Sequence, residues 1–308
     1  MMTTADELIT TLSEIQTADG AFPSDVYWEE RRYEDRNGFT TALVLRALHD
    51  VPASAARDRI LTRIRERALG FLLNCEDTDL PGTFRFWPSG AQPEWIREPL
   101  PPDADDTAIY GLELARNGYL DQRAMLRIAC ASFARRRLRN ADWPAPPWLR
   151  PGVFLTWLRR GANAEIVDCC ANANVVAFLN YAGLRRLPGF REACAMIEAG
   201  IRWAGGSWER ARSLSPFYAH PVELRYAVEN AVRCGAESLA PSLALMKDQR
   251  WAMEAGDGSI VADRPICSNA YGRVLWTSAA VQIARKIGRL DELSTFNSKS
   301  PSVKHQLN

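Results

Sequence analysis

Three aspartates stand within four residues in Leu100-Pro101-Pro102-Asp103-Ala104-Asp105-Asp106-Thr107-Ala108. Asp and Thr are good helix N-caps, and acids suit the positive end of a helix dipole, so capping of a helix that starts near Thr107 is one reading. One Asp would meet that need. Three carboxyls this close repel, and in a buried site at least one tends to keep its proton. A neutral carboxylic acid at a helix N-terminus is a poised proton donor, because backbone N–H groups stabilise the anion left behind. A second group of reactive types is Asp168, Cys170 and His220, which could together ligate zinc. His220, in a Pro-flanked loop, could equally be a loop histidine or a partner for the acids, and Asn174 could serve as a cap or as a polar group in a pocket.

The elements that must position these residues have the helical period almost throughout. Thr40 to Leu48, Thr107 to Ala115, Asn174 to Tyr181, Val222 to Val232 and Trp276 to Ile287 suit helices buried on most sides. Amphipathic stretches alternate with them: Ile60 to Leu73, Leu120 to Leu138, Gly189 to Trp203 and Glu237 to Met246. This is a degenerate repeat of helix pairs, with the buried helices expected inside and the amphipathic ones outside. No stretch shows convincing strand alternation. Four loops share a glycine, a small residue and a large apolar one: Gly20-Ala21-Phe22, Gly82-Thr83-Phe84, Gly206-Ser207-Trp208 and Gly258-Ser259-Ile260. The apolar residue of each is expected to plug between helices.

Asp103-Ala104-Asp105-Asp106-Thr107-Ala108 resembles the DxDDTA motif of class II terpene cyclases, the squalene–hopene cyclase and class II diterpene cyclase group. The glycine loops resemble weakened QW motifs, and only the first, with Gln16, has its glutamine close by. The helix pairs, which resemble that group's α/α-toroid, give the expected fold: all-α, a single α/α-toroid of about five to six helix pairs over residues 1–292; the stretch 293–308 is polar and expected to be disordered. The resemblance implies an isomerase or lyase-type enzyme in which Asp105 is the general acid. That acid protonates an alkene or epoxide and starts a carbocation cascade, with Asp103 and Asp106 tuning it. A carbocation needs a dry pocket with π-faces. Phe86, Trp87, Trp95, Trp157 and Tyr218 are the expected lining, with Asn174 and His220 as polar members. The chain lacks the DDxxD motif of ionising cyclases, so no metal is expected, and Mg2+ would enter only with a diphosphate substrate.

The class II group builds its site between two toroids, and this chain has room for one. The pocket would then lie in the toroid's own centre, or a second subunit or a second copy would close it. Two further functions remain open. One is a non-catalytic toroid that binds an isoprenoid or a protein partner; its sign would be a solvent-exposed acidic cluster with no apolar cavity behind it. The other is a zinc-dependent subunit resembling the protein prenyltransferase β-subunits, through Asp168, Cys170 and His220.

Composition limits the alternatives. The 308 residues carry 38 basic and 37 acidic groups, a net charge of +1, which does not suit a nucleic-acid binder. The expected partner is a linear isoprenoid or a prenylated small molecule. Seven cysteines, no CxxC and an acidic start point to reduced thiols in a cytoplasm. No apolar run reaches the ~20 residues of a membrane span. A peripheral membrane contact stays open.

Overall fold

The computed structural model describes residues 4–49, 51, 55–96, 99–140, 145–159, 161, 165–253, 264–270 and 272–299. Its helices are α1 (Ala5–Ile15), α2 (Gly38–Ala47), α3 (Ala55–Leu73), α4 (Ala104–Arg116), α5 (Gln122–Ala131), α6 (Cys169–Tyr181), α7 (Phe190–Ala204), α8 (Trp208–Ser213), α9 (Val222–Arg233), α10 (Ala240–Met246) and α11 (Ala279–Lys299). Four strands accompany them: β1 (Pro23–Trp28), β2 (Arg31–Arg36), β3 (Pro265–Ser268) and β4 (Val274–Thr277).

The expected alternation of helix types organises the helices. α2 packs on α4, α4 on α6, α6 on α9, and α11 back on α2. Every residue of α6 from Cys169 to Asn180 is buried, as is every residue of α2 from Gly38 to Arg46. Such helices cannot be amphipathic, because neighbours surround them. α3, α5, α7 and α10 each follow an inner helix, and α1 packs on α11 and α3, each of these helices with residues exposed to solvent. Between α9 and α11 the ring is tied by a buried bidentate ion pair. Arg285 Nη1 and Nη2 donate to Glu223 Oε1 and Oε2 at 2.8 and 2.6 Å, and the guanidinium lies 3.9 Å from the Tyr226 ring centre.

The all-α expectation is corrected by a four-stranded antiparallel sheet of order β2-β1-β4-β3. Trp276 accordingly sits in β4, opposite Val26 of β1, and the helix begins only at Ala279. The strands escape a pattern search for physical reasons. β3 and β4 have four residues each, too few for alternation to register, and β2 is a charged edge strand, Arg-Arg-Tyr-Glu-Asp-Arg. β4 runs into helix-forming sequence with only Ser278 between them.

Three smaller differences concern ends and loops. The expected helix from Leu120 to Leu138 breaks at Ser132 into a one-turn 3-10 helix, Phe133–Arg135. α11 reaches Lys299, into the stretch expected to be a disordered tail, since Arg-Leu-Asp-Glu-Leu keeps good helix formers beyond residue 288; residues 300–308 lie outside the described ones. Trp208 is exposed rather than an inter-helix plug, because it opens α8 at the surface. The loop Gly258-Ser259-Ile260 also lies outside the described residues. The first loop packs as expected. Gly20 has φ +95°, and a Cβ there would meet the Arg67 carbonyl oxygen at 2.1 Å, while Gln16 Nε2 donates to the carbonyls of Gly20 and Ile64, both at 3.0 Å. Phe22 is fully buried. Among the described residues no helix is long and apolar enough to cross a membrane.

Glu223→Ala would leave the Arg285 guanidinium in the ring without its counter-charge. Loss of one partner of a buried pair costs about 3–5 kcal/mol, so urea unfolding at neutral pH should show a loss of that size.

Candidate active site

The start of α4 sorts its three carboxyls by role. Asp103 is the N-cap: its Oδ1 accepts from the backbone N–H of Asp105 and of Asp106, both at 2.8 Å. The same segment is pinned on two sides. Ala104 N–H donates to Thr156 O at 2.8 Å, and Thr107 Oγ1 accepts from Phe84 N–H at 2.9 Å. The first bond brings up the Trp157 loop and the second the Phe84–Trp87 loop, so both aromatic segments are registered to the acidic turn.

Asp105 is the carboxyl held by side chains from other elements. Asn174 Nδ2 of α6 donates to its Oδ1 at 2.7 Å, and the Tyr218 hydroxyl donates to its Oδ2. Asn174 in turn accepts at Oδ1 from Arg46 Nη1 of α2 at 3.1 Å. Asp106 is fully buried, and its Oδ2 has no hydrogen-bond partner. The capping reading thus holds for Asp103, with the helix starting at Ala104 rather than near Thr107, and Asp106, already inside the first turn, is not the cap.

The acids border an apolar cavity of about 200 Å³. Asp103, Asp105 and Asp106 line it together with Phe39, Phe86, Trp87, Trp157, Phe217, Tyr218 and Trp276. Asp103 and Asp105 are half-buried and Asp106 is wholly so. The ends of three inner helices open here: Phe39 is the second residue of α2, Asp103 caps α4, and Asp168 caps α6.

Burial dominates the electrostatics. It pushes Asp103 up to about 7, assisted by the charge of Asp105 and opposed by the hydrogen bonds to the Asp105 and Asp106 amides. Burial also raises Asp105, while the hydrogen bonds from Tyr218 and Asn174 and the charge of Arg46 pull it back. Asp106 is raised well above the usual carboxylate range by burial and by repulsion from Asp103 and Asp105. Asp168 is pushed up to about 7 by burial and by the Asp105 charge. The turn can therefore hold protons near neutrality in a cavity walled by aromatic rings.

The expected site residues divide into three groups. Phe86, Trp87, Trp157 and Tyr218 line the cavity, and Asn174 stands behind Asp105. Trp95 lies outside the lining, packed on Trp28, Tyr33 and Trp276 with ring centres 5.8, 5.6 and 6.2 Å away. His220 is also outside it. Its ring stands edge-on to Trp208 at 4.8 Å, its Nδ1 accepts from Val222 N–H at 3.2 Å, and burial lowers its pKa to about 4.

The zinc constellation is not assembled. Asp168 spends its oxygens on the N–H groups of Cys170, Ala171 and Phe217, at 2.7, 3.1 and 3.2 Å. Among the described residues no group of three or more His, Cys, Asp and Glu is placed to hold a metal ion.

No protein-family model matches the chain, and no curated protein matches it. Its fold is similar to solved structures of the type II terpene cyclase MstE from Scytonema. The apo form is 14% identical, over 94% of this chain and 97% of that one, with a TM-score of 0.44. A form in complex with geranylgeranyl dihydroxybenzoate is 13% identical, over 94% and 96%, with a TM-score of 0.45. A form in complex with merosterolic acid A is 13% identical over the same shares, with a TM-score of 0.44.

The structure adds Arg46, Asp35, Phe39 and Trp276 to the residues expected from sequence. Arg46 had a signal: it is a charge within an otherwise apolar helix, Thr-Thr-Ala-Leu-Val-Leu-Arg-Ala-Leu. Burial lowers its pKa. Asp35 had no such signal, and it does not cap α2; Asn37 does, accepting from Thr40 N–H at 2.8 Å.

The raised carboxyls set a pH dependence of stability. Asp103 and Asp168 titrate near 7 in the fold and near ~3.9 unfolded. Between those values the native state holds protons that the unfolded chain has released. Their contribution is therefore complete below about pH 4 and is lost as the pH rises through about 7. Chemical unfolding at pH 5, 6, 7 and 8 should show stability falling with pH, and Asp168→Asn should flatten that slope. A slope unchanged by the substitution would contradict the assignment.

Proposed function

We propose that this protein is a class II terpene cyclase-like enzyme that starts ring closure of a linear isoprenoid, or of a prenylated small molecule, by protonating an alkene or epoxide. The observation that carries the reading is Asp105. It lies at the head of a buried helix, faces an apolar aromatic cavity, and is held by Asn174 and Tyr218.

Protonation of a carbon–carbon double bond needs an acid that keeps its proton until the substrate has displaced water. Burial supplies the first condition and the cavity wall the second. In the step itself the Asp105 O–H bond breaks, the alkene π-pair takes the proton, and a carbocation forms beside the new carboxylate. The hydrogen bonds from Asn174 and Tyr218 strengthen as charge develops on Asp105. Asp103 holds the turn, and Asp106, whose burial favours its neutral form, tunes Asp105. The aromatic rings offer their faces to the cation without offering a nucleophile. A passive binder would need no raised carboxyl set against an apolar cavity. Loss of a final proton from carbon would return the carboxyl pool to its starting state, so the net reaction is an isomerisation and needs no redox partner.

Incubation with a panel of linear isoprenoids, read by mass spectrometry and chromatography, should reveal a cyclic isomer. Asp105→Asn should abolish that product, a loss of at least ~10²-fold for a positioned acid, with little change in melting temperature. Near-normal turnover by the variant would remove Asp105 from the role. Unfolding of the variant would mean that the turn is structural.

Tyr218→Phe removes a bond that favours the ionised form of Asp105, so its pKa should rise further. The alkaline limb of the rate profile should move to higher pH, with a lower maximum rate because the departing proton leaves a less stabilised anion. A limb that moves to lower pH would contradict this geometry.

A further inference from the structure

Asp35 of β2 is buried, 4% exposed, behind the wall of the cavity. Three N–H donors converge on it. Trp87 Nε1 donates to Oδ1 at 2.8 Å, Trp276 Nε1 to Oδ2 at 2.9 Å, and Asn37 Nδ2 to Oδ2 at 2.8 Å. The orientation of Asn37 is fixed, because its Oδ1 accepts from Thr40 N–H and its Nδ2 also donates to Ser24 Oγ at 3.0 Å. An indole N–H and an amide NH₂ can only donate, so this is an arrangement that a carboxylate satisfies. Both indoles line the cavity, and since their N–H edges turn away toward Asp35, the cavity meets ring carbon. Trp157, which also lines the cavity, has a buried Nε1 with no hydrogen-bond partner.

Folding does not require an anion there. A neutral oxygen acceptor would satisfy an indole N–H without the cost of burying a charge. The cavity gives a reason for it. The N-terminal ends of α2, α4 and α6 open on this space and bring positive potential with them, which opposes a cation. A carboxylate hydrogen-bonded to an indole N–H pushes electron density into the ring and strengthens its attraction for positive charge.

We infer that Asp35 is a positioning residue that fixes the indoles of Trp87 and Trp276 in the cavity wall and polarises them, so that they favour a cationic occupant. The origin of that cation rests on the cyclase reading; the preference itself does not.

The test uses the purified full chain and two probes: a linear isoprenoid amine, protonated to the ammonium, and its neutral carbon isostere. The native protein should bind the ammonium more tightly. Asp35→Asn should reduce that preference, the ratio of ammonium to isostere affinity, about five- to thirtyfold, the span from an exposed to a desolvated cation–π contact. An unchanged preference overturns the inference, and so does a native protein that shows none or binds neither probe. With an active substrate, the same variant should shift products toward less cyclised skeletons relative to the total formed. A merely structural loss would lower all products in proportion.

A second measurement needs no folded variant at position 35. In native protein carrying ¹⁵N-tryptophan, the indole proton resonances of Trp87 and Trp276 should lie downfield of that of Trp157. Coincidence of the three overturns the inference. A protein that cyclises nothing yet shows the Asp35-dependent preference would refute the cyclase reading and leave this one standing.

Discussion

The cap that Asp103 places on α4 decides where the other two carboxyls of the turn can go. One oxygen of Asp103 takes both the Asp105 and the Asp106 N–H, so neither of those side chains is needed at the helix end. Successive helical residues diverge by about 100°. With the backbone held, Asp105 is delivered to Asn174 and Tyr218, while Asp106 goes into the wall where its Oδ2 finds no partner. A single local bond pattern thus turns a run of like charges into three carboxyls in three environments. The aromatic loops hang from the same turn through Thr107 and Ala104.

Two effects compete over the protons of that turn. A helix N-terminus favours an anion by roughly 0.3–1 kcal/mol, up to ~2 in partly buried geometry. Removing a carboxylate from water costs several kcal/mol. Burial wins: Asp103, Asp105, Asp106 and Asp168 are all shifted upward. The position of Arg46 suits this balance. Its guanidinium reaches Asp105 through Asn174, not by a contact of its own. A direct ion pair favours the ionised carboxylate far more strongly and would have opposed the upward shift. Through one amide, Arg46 tempers the acid without discharging it.

The parts of this molecule that sequence exposes are those written in consecutive residues. The Asp103–Ala108 motif and the all-apolar character of Thr40–Leu48 and Asn174–Tyr181 are local, and the structure places them at the site and in the inner ring. Asp35 is different, because its meaning lies in Trp87 and Trp276, 52 and 241 residues away in sequence. Nothing near Asp35 distinguishes it from the other charges of Arg-Arg-Tyr-Glu-Asp-Arg. Trp95 and His220 fail for the converse reason. Closeness in sequence to the motif, or to a candidate ligand, said nothing of the direction in which their loops carry them. The sheet was hidden because its strands are short, and because β1 meets β4 only across almost the whole chain.

That same pairing bears on how the pocket is walled. β1 and β4 join the beginning and end of the chain, Val26 opposite Trp276 and Trp28 opposite Val274. The hairpin of β3 and β4 then presents Cys267, Ser268, Asn269, Val274 and Trp276 to the cavity, facing the helix ends that carry the acids. The sheet therefore supplies wall that helices alone leave open at the end of a ring. It also fixes that wall: backbone pairing to β1 holds β4 in register, and Asp35 locks the Trp276 ring from behind. A wall held by pairing with β1 forms as the sheet forms, so this side of the site and the ring that carries it stand or fall together.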